Sequence, residues 1–465
     1  MASASTALAP PAATVTSRGV SHALVRAVSA LVYVAGLEFV YRTRIAPVFG
    51  YLKFDYRTPT TTAFVVSTVA VVVLAAALPR RLRRPSDLIL WALFIVVVAP
   101  SITVPQYTSV LDPGQAVLVS STVALSFLGV VFGVRGRTLE IVPTVQASTT
   151  SFWATLLVIT GAVYLYVAVK IGLNPQFVSL AEVYDVRSDY KAQLVDAPLL
   201  AYLVPWQGNV INPIFVAKGI YSRRPLVLAV GLAGQLLLYS VNGYKTLLFS
   251  TPAMVALSLL FRRRQTSSGQ SLLVGAIALT ATAALLDRIF NTITPTSLFV
   301  RRFLVFPGFL TAVYVKVFTE LPQTHLTQSA WLSFGDYPYN VAPGQVVGGA
   351  FFQRPGTNAN ANLFADGFMN FGYLGILGAG VALVVVLRVI DSASRGLPVV
   401  LSGLLFFMSA ITLANSGILT TTLTHGLGLA VVMACCMPRT GWSIEERRQS
   451  RSYPATSVAA SRSQP

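Results

Sequence analysis

The stretch NANANLFADGFMNFGYLGILGAGVALVVVLRVI (residues 358–390) changes character as it runs. From Gly367 onward almost every residue is apolar or glycine. About 20 such residues span the hydrocarbon core of a bilayer as a helix. The beginning is different. Asn358, Asn360 and Asn362 alternate with alanine, and Asp366 is the single acid at the entrance of the apolar run. A helix start favours Asn or Asp, because the side chain accepts from otherwise orphaned backbone N–H groups. An acid there also complements the helix dipole. Three closely spaced asparagines exceed what one cap can use. A membrane helix is therefore expected from about residue 366, entered through a polar segment that does more than cap it.

The rest of the chain repeats the apolar pattern. Of its 465 residues 54% are hydrophobic and 11% charged, whereas a soluble domain carries about 25% charged residues. Candidate spans lie at 23–41, 60–78, 88–105, 115–134, 151–170, 198–220, 225–241, 246–261, 271–286, 366–388, 397–414 and 418–437. The expected fold is an all-α polytopic membrane protein of about twelve transmembrane helices. The net charge of +18 does not mark a nucleic-acid binder, because the basic residues cluster between apolar runs. The clusters are Arg80–Arg84, Arg135–Arg137, Arg223 and Arg224, Arg262–Arg264, Arg388 with Arg395, and Arg439 with Arg447 and Arg448. If the spans alternate, all fall on one side, which the positive-inside rule makes cytoplasmic, with both termini.

The expected organisation follows. Residues 1–22 form a disordered cytoplasmic tail and 23–286 the first nine helices. Residues 287–365 form a large ordered outer-face loop with helices on the membrane surface. Residues 366–437 form the last three helices and 438–465 a disordered basic tail. The two cysteines, Cys435 and Cys436, are adjacent and point apart on a helix, so a structural disulfide is not expected. No Walker, GxGxxG, HExxH, GxSxG or DxD motif is present. Energy for any reaction must then arrive in the substrate, unless the protein is passive or ion-driven.

Several polar residues on the expected outer face invite two readings each. Lys245, in NGYKT, is a snorkelling lysine or a point-charge partner for phosphate. Arg301 and Arg302, opening RRFLVFPG, belong to a surface helix meeting anionic headgroups or form a guanidinium fork for pyrophosphate. His325 is loop surface or a proton carrier. Asp366 is a helix cap or a base. Asn358, Asn360 and Asn362, with Arg354 just before them, offer amide and guanidinium groups suited to hydroxyl-rich ligands.

The order NGYKT, RRFLVFPG, a long outer loop and then NANANLFADGFMNFGYLG resembles the bacterial oligosaccharide repeat unit polymerases, the Wzy-type O-antigen and capsule polymerases related to the O-antigen ligases. The resemblance covers about residues 240–380. It implies a glycosyltransferase of the inner (plasma) membrane, working without metal, nucleotide or cofactor. Such an enzyme joins a polyprenyl-pyrophosphate-linked oligosaccharide donor to a lipid-linked acceptor at the outer face. It further implies a chain-length regulator and a flippase as partners. On this reading Arg301, Arg302 and Lys245 hold the pyrophosphate, Asp366 or His325 is the base, and Asn358, Asn360, Asn362 and Arg354 orient sugars. One departure is that residues 182–191, EVYDVRSDYK, mix Arg187 and Lys191 with acids rather than forming a second arginine-rich loop. Competing readings are a ligase moving finished glycan, a lipid-linked saccharide transporter or flippase, and a non-enzymatic scaffold.

Overall fold

In a computed structural model the chain is a helical bundle. The structure describes residues 17–145, 147–172, 183–262, 268–329, 335–440 and 442. Residues 1–16 and 443–465 of the two tails, Trp331, and Arg263, Arg264, Arg447 and Arg448 lie outside the described residues.

Among the described residues, 8 helices are long and apolar enough to cross a membrane. They include Pro85–Tyr107, Pro113–Val134 and Thr149–Lys170. Shorter apolar helices lie at Thr61–Ala77, Lys245–Phe261, Val399–Leu413 and Leu427–Cys436. Most expected spans coincide with helix, including 198–220, which is helical from Leu200 to Tyr221 with a π-helical turn at Gln207–Ile211. The expected span 418–437 is instead two short helices, Ile418–Leu423 and Leu427–Cys436, separated at a left-handed Gly426. Between its polar ends, the outward-facing side chains of Thr149–Lys170 are mostly apolar, with Leu165 66% and Val169 73% exposed. Such stripes suit a hydrocarbon surround and would be a liability in water.

Among the described residues, arginines from several of these clusters meet at one end of the bundle. Arg26 donates to Leu78 O (2.6 Å) and Ala76 O (2.9 Å). Arg388 donates to Gly133 O and Arg135 O, and Arg439 to Ala434 O and Ala393 O. Arg84 pairs with Asp391, and Arg395 with Glu140. The guanidinium groups thus cap carbonyls that helix C-termini leave without an internal partner. We call this the basic end and the other the distal end.

Two features differ from the expected organisation. The first is Thr296–Glu320, a continuous helix of 25 residues, π-helical up to Val305. Its length, about 37 Å at 1.5 Å per residue, would cross a bilayer. Its two ends nonetheless lie at the same end of the bundle. Thr296 N donates to Asp287, near the distal terminus of Gln270–Ile289. At the other extremity Glu320 shares a cleft with Lys53 and Ser109, beside the Tyr56–Thr108 bridge that joins two distal loops. Between them Gly308 packs on Pro100, and Ser101 and Thr311 hydrogen-bond at 2.8 Å. This inset helix is therefore sunk into the distal half of the bundle. Phe309, Leu310, Val313 and Tyr314 on it are all buried against neighbouring helices.

The second feature lies in the polar-to-apolar segment 358–390. Helix Leu363–Ala393 is broken at Phe371 (φ −145°) and Gly372 (φ +58°, ψ −143°). In an unbroken helix residues eight apart are separated by about 12 Å. Here a Cβ on Gly375 would sit 1.9 Å from Gly367 O. Residues 363–370 form a short arm that doubles back against the long helix 373–393. Glycine at 367 and 375 lets the two backbones touch, and Gly372 supplies a conformation that side chains disfavour.

Candidate functional site

The distal end brings the two flagged motifs together through one side chain. Asn362 is buried, at 1% exposure. Its Oδ1 accepts from Phe364 N (2.9 Å) and Ala365 N (3.1 Å), making it the cap of the short arm. Its Nδ2 donates to Pro307 O and Thr311 Oγ1, both at 2.8 Å. The amide thus locks the short arm to the inset helix five residues past Arg302. Two expectations change. The cap is Asn362 and not Asp366, because the helix begins at Leu363. The amide's donors and acceptor are spent inside the fold, leaving none to orient a sugar.

Asp366 lies one turn further along the short arm and is half-buried. Its backbone N–H bonds Asn362 O (2.8 Å), while its carboxylate makes no hydrogen bond or ion pair among the described residues. The carboxylate faces Gly417, where a Cβ would come within 2.3 Å of Oδ2. Gly417 is thus packed directly on the carboxylate, and only a residue without a side chain fits there.

Asn370 occupies the next turn and was not singled out from the sequence. It is buried, donates to Asp366 O (2.8 Å), and accepts from Thr324 Oγ1 (2.8 Å), Leu326 N (2.7 Å) and Gln328 Nε2 (3.2 Å). This amide holds the loop that carries His325. His325 is exposed, adopts φ +47°, and rests against the Phe371 ring at 5.5 Å. Residues 362, 366 and 370 are spaced by four, one helix face. That spacing was the available signal for Asn370.

The arginine pair divides. Arg301 is clasped: Nη2 donates to Ser297 Oγ (3.0 Å), and the guanidinium lies 4.2 Å over the Phe49 ring and 5.9 Å from that of Phe54. Arg302 is half-buried and makes no hydrogen bond or ion pair among the described residues. Lys245, 7% exposed, opens its helix. One turn on, Phe249 packs between Phe299 and Phe303 at 5.5 and 6.0 Å, setting that helix alongside the arginine-bearing segment. The NGYKT turn also meets the EVYDVRSDYK segment. Arg187 donates to Gly243 O (3.1 Å) and lies 5.1 Å over the Tyr244 ring. Burial pushes the Tyr244 phenol up, and the Arg187 guanidinium opposes that shift.

The remaining predicted residues stand apart. Asn358, Asn360 and Arg354 are exposed in the loop ahead of the short arm, with the Arg354 guanidinium 6.0 Å from the Tyr51 ring. Comparison with protein-family models, curated proteins and solved structures yields no match for this chain.

Proposed function

We propose that this chain is a membrane glycosyltransferase that polymerises polyprenyl-pyrophosphate-linked oligosaccharide repeat units. The observation that carries the reading is the Asn362 bridge, which ties the arginine-bearing helix to the aspartate-bearing arm. A leaving pyrophosphate needs preorganised cations, and Arg302 and Arg301, with Lys245 on the neighbouring helix, supply them. The acceptor hydroxyl attacks the anomeric carbon, the bond to the lipid pyrophosphate breaks, and a base takes the hydroxyl proton. Asp366 is the preferred base, because it shares the Asn362-bridged unit with the arginines. His325 faces Phe371 at the rim and is the second candidate. Asn358, Asn360 and Arg354 are exposed to meet sugars. With the basic end cytoplasmic, the reaction faces outward.

The test is genetic and chemical. Deleting the protein in its host should leave single repeat units on the carrier lipid in place of long surface chains. Long chains retained on the carrier would point to a ligase, and unaltered glycans would sink both. In complemented cells Arg302→Ala and Asp366→Asn should each lower long-chain product at least tenfold with protein level unchanged. Full product from either variant removes that residue from the site.

A further inference from the structure

A cleft of about 400 Å³ opens at the far extremity of the inset helix. None of the residues assigned above lines it. Its polar wall comes from Lys53, Asp55, Lys316, Glu320 and Gln353, and Phe351 contributes an apolar face. Lys316 and Glu320 pair at 2.6 Å one turn apart. Two of these residues are strained in the same way. Lys53 (φ +67°) and Gln353 (φ +55°) are left-handed without being glycine. Their loops come from distant parts of the chain and meet at this cleft. Strain of this kind persists where the surroundings over-determine it, and it concentrates at ligand sites.

The charge balance narrows the ligand. Two ammonium groups and two carboxylates cancel, so a pyrophosphate would meet repulsion as well as attraction. A neutral, hydroxyl-rich ligand suits both kinds of group, donating to the carboxylates and accepting from the ammonium and amide groups. The Phe351 ring can underlie the C–H face of a sugar. Tyr51, beside the cleft loop, is 66% exposed and offers a second ring. The volume falls in the range of small-ligand sites.

We propose that this cleft binds a sugar segment of the oligosaccharide, remote from its pyrophosphate. The proposal rests on the glycosyltransferase reading above and deepens it. Residues 301 and 316 are separated by about 22 Å along the helix at 1.5 Å per residue. One rigid element would therefore carry the phosphate contacts near one end and the glycan contacts near the other.

The experiment uses the purified full chain in detergent micelles on an array of defined oligosaccharides containing hexose, N-acetylhexosamine and uronic acid units. The wild type should bind at least one of them. Glu320→Gln, and the double variant Lys53→Gly with Gln353→Gly, should bind at least tenfold more weakly. Glycine adopts positive φ freely, so the double variant removes side chains while keeping the loops. Binding of no arrayed oligosaccharide, or equal binding by the cleft variants, overturns the proposal. The readout is independent of polymerisation: unaltered surface glycans in the deletion strain would end the polymerase reading while leaving a cleft-dependent sugar site intact.

Discussion

Asn362 and Asn360 are two residues apart, and the structure gives them opposite duties. Asn362 bonds two backbone donors and two acceptors on another helix. Removing an N-cap alone costs about 1 kcal/mol, and unpaired buried partners add to that. Asn362→Ala should therefore lower the thermal unfolding midpoint in detergent by several degrees. Asn360→Ala, at an exposed position, should leave it within about 1 °C, since surface changes stay near 0.5 kcal/mol or less. Equal effects would refute the division. Asn370 gives a second test. Without its Oδ1, the loop at Thr324–Gln328 loses three bonds. In Asn370→Ala the Leu326 amide should exchange with deuterium at least tenfold faster, while Asn362 and its partners are unaffected. Asparagine as a residue type was legible in the sequence; its assignment was not. A buried amide and an exposed one have the same letter, and only the partners at Pro307 and Thr311 tell them apart.

At the scale of elements the hairpin of the short arm and the long helix decides where Asp366 sits. Gly375→Ala would drive a Cβ into Gly367 O. The arm must then swing away, taking Asp366 off Gly417. Long-chain glycan should fall at least tenfold in that variant, whereas Gly378→Ala, with nothing within 4 Å of its Cβ, should be neutral. Gel analysis of surface glycan from complemented cells reads both. The helices themselves were legible, because apolar runs bounded by arginines leave few alternatives. The hairpin was not. Several glycines follow Asp366, and the letter does not show which one takes positive φ. The inset helix was obscured for a related reason. Its apolar composition matches that of a crossing helix, and composition carries no record of whether both ends share a side.

For the whole molecule, that shared side sets the topology. If the inset helix enters and leaves distally, Asn291 before it and Asn360 after it face the same compartment. Single cysteines at these two positions, in a background with Cys435 and Cys436 replaced by serine, should both react with a membrane-impermeant maleimide in intact cells. A cysteine replacing Arg137, at the basic end, should react only after permeabilisation. Opposite behaviour of positions 291 and 360 would make the inset helix a true crossing. It would also set the basic clusters beyond it against the positive-inside rule.

Past the last helix, Trp442 is buried at 1% exposure. Its carbonyl accepts from Ser222 Oγ, and its ring lies 4.5 Å from the Lys218 ammonium and 5.8 Å from Trp153. These partners are made more than two hundred residues earlier in synthesis. This contact therefore forms only after the last helix has been made, joining the end of the chain to its middle. A chain cut just before this tryptophan would insert fully and still age faster than its parent.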